Sequence, residues 1–143
     1  MLLTLLRQWR AQALIIASLI GLGITLPTQA AQNLPKVQPV MACAAISTLD
    51  FSPDNIGADV KITATDELKT PQGTFCKVSA TLSPSIGVAV ALPQTNWTQR
   101  MLQVGCGGLC GKINLSLSNA SGCVPAMNGE FTVATTDMGH SGS

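Results

Sequence analysis

Leu102-Gln103-Val104-Gly105-Cys106-Gly107-Gly108-Leu109-Cys110-Gly111 is the stretch on which the reading of this chain turns. The apolar run Met101 to Val104 reads as a short buried strand that breaks into a glycine-rich turn. Glycines lack a Cβ, so they tolerate positive φ and let bare backbone N–H groups face a ligand. The next compact apolar strand, Phe131 to Thr135, begins only after residues 105 to 130. That interval is too long for a hairpin; a crossover of such length normally holds a helix and joins parallel strands. Val124 to Asn128 offers only a weak helical turn, so the crossover is expected to be irregular.

Upstream the pattern differs. Ala58 to Ala64 alternates polar and apolar residues, the mark of a half-buried strand. Thr70-Pro71-Gln72-Gly73 is a turn, and Cys76 to Leu82 alternates again with Cys76, Val78, Ala80 and Leu82 on one face. Pro84 to Gly87 is a second turn, followed by the nearly all-apolar strand Val88 to Leu92. Three strands at short spacing predict an antiparallel meander. Met41 to Leu49 suits a short helix ending near Asp50-Phe51-Ser52-Pro53, and Gln32 to Pro39 is a polar leader. The expected class is therefore α/β, with antiparallel strands leading into the first parallel ones.

The chain has 143 residues, enough for one ordinary domain, and a net charge of +1 that offers no electrostatic case for nucleic acid. Charged residues make up 10% and hydrophobic ones 46%, which suits a buried domain and not a disordered tail. Aromatic residues are only 3%, with no Tyr. Beyond the N-terminus the large rings are Trp97, Phe51, Phe75 and Phe131, so an autonomous core would be thin. That shortage fits a piece of a larger domain.

Arg7 and Arg10 precede the apolar run Ala13 to Leu26, Pro27 breaks the helix, and Thr28-Gln29-Ala30 supplies small residues for cleavage. A membrane span needs about 20 apolar residues and this run falls short. Residues 1–30 are thus expected to be a cleaved signal peptide, and 31–143 the exported part, secreted or periplasmic, with no stable membrane anchor. Val40-Met41-Ala42-Cys43 is a poor lipoprotein site because Pro35, Lys36 and Pro39 separate it from the apolar run. Export makes disulfides the default for the five cysteines, Cys43, Cys76, Cys106, Cys110 and Cys123. An odd count leaves one thiol over. A Cys110–Cys123 bridge is the favoured closure of the glycine-rich loop and Cys106–Cys123 the next; such a bridge stabilises by roughly 3 kcal/mol in the chain-entropy model.

Other chemistries fit the residues less well. A phosphate-binding P-loop requires Gly five positions before Gly111, where Cys106 stands, and Ile113 replaces the hydroxyl residue that would hold magnesium. The dinucleotide pattern fails because Cys110 occupies the third glycine position. Cys106, Cys110, Cys123 and His140 lack the Cys-x-x-Cys spacing of a zinc site, so no metal site is expected. His140, the single histidine, is close to Ser141 and Ser143 in sequence, but triad members converge from distant segments. Asn96-Trp97-Thr98, Asn114-Leu115-Ser116 and Asn119-Ala120-Ser121 fit the glycosylation pattern, which arises easily by chance in a Ser/Thr-rich chain.

Trp97, Arg100, the glycine-rich loop, Asn128-Gly129-Glu130-Phe131 and Thr136-Asp137-Met138-Gly139-His140-Ser141-Gly142, in that order, closely resemble the tannase and feruloyl esterase family. That family includes the mono(2-hydroxyethyl) terephthalate hydrolases, and its members are secreted serine esterases with an α/β-hydrolase core and a large lid. The likeness covers most of Met41 to Ser143. It implies that Gly107 and Gly108 match the loop giving one backbone oxyanion donor, with the choice between them open. It also implies a disulfide between Cys43 and Cys76, and a fixed loop at Asp137 and His140 that holds neighbouring active-site loops in place. The nucleophilic Ser, the Asp and the His of the triad fall beyond Ser143, as does the calcium site of the lid, so no cofactor is expected in this chain. One departure is local: the family commonly has Gly before the Arg of its Trp-x-Gly-Arg segment, and here Gln99 stands there.

These expectations describe the N-terminal portion of an α/β-hydrolase fold, truncated before the nucleophile elbow. The complete enzyme would cleave small aromatic-acid esters through a Ser acyl-enzyme, and the fragment alone would be inactive. The competing reading is a small exported, disulfide-linked binding or structural module without catalysis.

Overall fold

The computed structural model describes residues 34–52, 54, 57–105, 111–117 and 120–140. Their centre is a mixed five-stranded sheet with little helix. β1 (Val60–Thr70), β2 (Gly73–Leu82) and β3 (Ile86–Pro93) form the expected antiparallel meander. β4 (Arg100–Val104) and β5 (Phe131–Thr136) pair in parallel, as the length of the intervening crossover predicts. β5 sits between β3 and β4, antiparallel to β3, so the strand order is β1-β2-β3-β5-β4.

Local chemistry sets these boundaries. Thr70 Oγ1 donates to the Gly73 carbonyl at 3.2 Å and accepts from the Gln72 amide at 3.2 Å, closing the two-residue turn between β1 and β2. Among the described residues of the crossover, Val124–Met127 forms a short α-helix, α1, with Pro near its start. Gly129 ends it at φ +72°, where a side chain would be strained and a Cβ would run into the Gln72 carbonyl oxygen. Beyond the helix, the Glu130 amide donates to the Pro125 carbonyl at 3.1 Å.

The two sheet faces follow from the register. Phe75, Ala91 and Val133 share one face and form the core, with Leu68, Val104, Leu115, Leu117 and Phe131 packed against them. Cys76 lies on the other face, fully buried, and its disulfide to Cys43 ties β2 to a 3-10 helix (Cys43–Thr48). The helix expected at Met41 to Leu49 is thus of the tighter kind. Among the described residues no helix is long and apolar enough to cross a membrane.

One expectation needs correction. Met101 to Val104 is not a buried strand: Met101 is 63% exposed and Gln103 also faces solvent. The order of strands explains it, since β4 is the edge of the sheet among the described residues.

Candidate functional site

A parallel pair has both carboxyl ends on the same side, and in open α/β sheets that side is where ligands bind. β4 exits at Gly105 and β5 exits at Asp137, so the glycine-rich turn and the Asp137–His140 loop leave the sheet together. Gly105 is exposed, and among the described residues a Cβ built there would meet nothing within 4 Å. A cavity of about 180 Å³ adjoins it, lined by Val104, Gly105, Ser116, Leu117 and Ala120 among others. Two larger hollows lie elsewhere: one of about 350 Å³ beside the Thr70–Gly73 turn, and one of about 360 Å³ between the Val37–Phe51 segment and Leu92. The smallest of the three is the one at the carboxyl end of β4.

Asp137 is held firmly. Its Oδ1 accepts from the Gly87 amide and from the Gly139 amide, both at 2.9 Å, and its own amide donates to the Gly87 carbonyl at 3.1 Å. The first and third of these bonds join the exit of β5 to the start of β3, and the second closes the turn at Met138 (φ +60°) and Gly139 (φ +83°). His140 follows exposed, its amide 3.4 Å from the Asp137 carbonyl. At the same end, Ser83 Oγ donates to Asp59 Oδ2 in a short contact that pins the β2–β3 turn to the start of β1.

The opposite end of the parallel pair carries a denser polar cluster. The Thr98 amide donates to the Glu130 carbonyl at 3.0 Å, and Thr98 Oγ1 reaches Glu130 Oε2 at 3.4 Å. Arg100 Nη1 lies 3.2 Å from Thr98 Oγ1 and 3.5 Å from Glu130 Oε2, with its guanidinium 5.9 Å from the Phe131 ring centre. Trp97 Nε1 donates to the Arg100 carbonyl at 3.0 Å. Gln99, between Thr98 and Arg100, takes φ +61°. A left-handed backbone at a residue with a Cβ is strained, and a glycine at this position would relieve it.

Gly107, Gly108, Cys106 and Cys110 lie outside the described residues, as do Ser141 and Ser143. Cys123 carries a free thiol; Cys110 and Cys106, the partners expected for it, lie outside the described residues. Among the described residues no group of three or more His, Cys, Asp or Glu side chains is placed to hold a metal ion. The roles of Glu130 and Gly87 leave no local signal in the sequence, because their partners, Arg100 and Asp137, are separated from them by 30 and 50 positions.

A mixed sheet whose antiparallel meander passes into a parallel pair, with little helix, is consistent with part of an α/β fold. A family profile described as tannase and feruloyl esterase matches residues 70–143, and the chain belongs to that family. No curated protein and no solved structure matches it significantly.

Proposed function

We propose that this chain forms the first part of the catalytic domain of an exported serine esterase that hydrolyses esters of aromatic acids, such as feruloyl, galloyl or related phenolic esters. The observation that carries the reading is the parallel β4–β5 pair, whose carboxyl ends open at Gly105 and Asp137 in a member of this esterase family. The fold is the front of an α/β-hydrolase. In that fold the loop after a central strand supplies a backbone donor for the oxyanion, next to the amide following the nucleophile.

In the proposed mechanism a Ser attacks the ester carbonyl, a His takes its proton and returns it to the leaving alcohol, and water then cleaves the acyl-enzyme. This chain contributes the N–H of Gly107 or Gly108, directed at the oxygen on which negative charge develops. The Ser, its Asp and its His come from residues beyond Ser143, and the calcium implied by the family belongs to the lid and to no residue here. Asp137 holds the second loop at this end of the sheet. Residues 1–30 direct export, and the bridge between Cys43 and Cys76 suits an oxidising compartment.

The test is to extend the reading frame past Ser143 to the next stop and assay the purified product on methyl ferulate, gallate esters and terephthalate monoesters. Hydrolysis that is lost on replacing the Ser of a downstream Gly-x-Ser-x-Gly elbow supports the reading. A stop directly after Ser143, with stable monodisperse protein, supports the binding module instead.

A further inference from the structure

We propose that the Arg100–Glu130 pair is a positioning device that sets the register of β4 against β5 and thereby fixes where the chain leaves the sheet at Gly105. The proposal rests on the esterase reading for its consequence in catalysis, but its structural half stands on its own geometry. β4 is five residues long and, among the described residues, pairs only with β5. Parallel pairing is the weaker kind per residue, and five residues give β4 few ladder bonds, with Leu102 and Val104 on its half-buried face. What β4 has in addition is the cluster at its first residue. Arg100 lies opposite Phe131 in the register, and its guanidinium sits between Glu130 Oε2 at 3.5 Å and Thr98 Oγ1 at 3.2 Å. The Thr98 amide is bonded in turn to the Glu130 carbonyl at 3.0 Å, and Thr98 is only 2% exposed.

The side chains of Arg100 and Glu130 retain 22% and 20% exposure, so the pair is shielded without being fully desolvated. Both contacts come from one guanidinium nitrogen, Nη1, which carries two N–H donors. A slip of one residue would part all of these groups at once. It would also carry Gly105 about 3.3 Å along the strand and turn every β4 side chain to the other face. Oxyanion donors must lie within about 0.5 Å of their productive position. The clamp at the amino end of β4 therefore governs the position of Gly105 at its carboxyl end without touching any substrate.

The test reads backbone amide exchange in the extended protein for Glu130→Gln and Arg100→Lys, with Leu68→Ala as a control that weakens the core elsewhere. Exchange at Leu102 to Val104 is expected to accelerate at least about tenfold in Glu130→Gln, with β1 and β2 unchanged and Arg100→Lys intermediate. An equal rise over the whole sheet, as in the control, or no change in β4, overturns the proposal. In the extended enzyme, kcat is expected to fall roughly 10- to 100-fold in Glu130→Gln, with KM held within about twofold. If the extended wild-type enzyme cleaves no ester, the esterase reading fails while the exchange result still decides the clamp. If wild type is active and Glu130→Gln loosens β4 with kcat intact, the esterase reading stands and the positioning role is overturned.

Discussion

The carboxylate of Asp137 accepts the amide of Gly87 at 2.9 Å, joining the exit of β5 to the entry of β3 across 50 residues of sequence. The same oxygen accepts the Gly139 amide at 2.9 Å, so one side chain fixes both a strand end and the loop that follows. Gly87 leaves no room for anything else, because a Cβ there would collide with the Asp137 carboxylate. The site end of the sheet is thus held by a glycine and an aspartate acting as one unit.

Removing that unit has a stated cost. Asp137→Ala deletes two charge-assisted hydrogen bonds and is expected to lower stability by about 2 to 3 kcal/mol. Asp137→Asn, which keeps an acceptor, should lose less than half of that. Urea unfolding of the three proteins checks it, and equal stability of Asp137→Ala and wild type would contradict the role of Asp137.

Gln99 at φ +61° stores backbone strain that a glycine would not. A left-handed residue with a Cβ costs about 1 to 2 kcal/mol, partly offset by the extra freedom that glycine has when unfolded. Gln99→Gly is therefore expected to raise stability by up to about 1 kcal/mol, seen as a higher melting temperature. Gln99→Ala should show no such gain, since it keeps the Cβ.

Thr135 is fully buried in β5, and its Oγ1 has no hydrogen-bond partner among the described residues. An unsatisfied buried hydroxyl costs about 1 to 3 kcal/mol, and valine has nearly the same shape. Thr135→Val is expected to stabilise by about 1 kcal/mol in denaturant titration. A loss would mean that the hydroxyl has a buried partner, such as an ordered water.

How much of this was legible in the sequence depends on the distance over which each feature is set. The meander is written in alternation, at Ala58 to Ala64 and Cys76 to Leu82, and local turn chemistry at Thr70–Gly73 marks its corner. The run Asp66-Glu67-Leu68-Lys69 belongs to β1 as well, but charged side chains on an edge strand hide the period. Parallel pairing of β4 with β5 follows from the crossover length. The place of β5 between β3 and β4 does not, because strand order depends on contacts far apart in the chain. That order made Met101 an exposed edge residue when its apolar neighbours suggested burial. The Arg100–Glu130 pairing left no local signal.

The disulfide offers a further check. Cys43 and Cys76 are 33 positions apart, and closing a loop of that size stabilises by roughly 3 to 4 kcal/mol in the chain-entropy model. The double variant Cys43→Ala/Cys76→Ala is expected to lose about that amount, and wild type in reducing buffer should approach it. A variant as stable as the oxidised wild type would show that the bridge does not hold the 3-10 helix to β2.

The central claim concerns the amides after β4, and its most direct measurement is kcat of the extended enzyme with Gly107→Pro and Gly108→Pro, since proline removes the N–H. Loss of one oxyanion donor typically costs about 100- to 1000-fold in rate. A fall of that size is expected in at least one of the two variants, in protein whose folding is confirmed by circular dichroism. Turnover within a few-fold of wild type in both would contradict it.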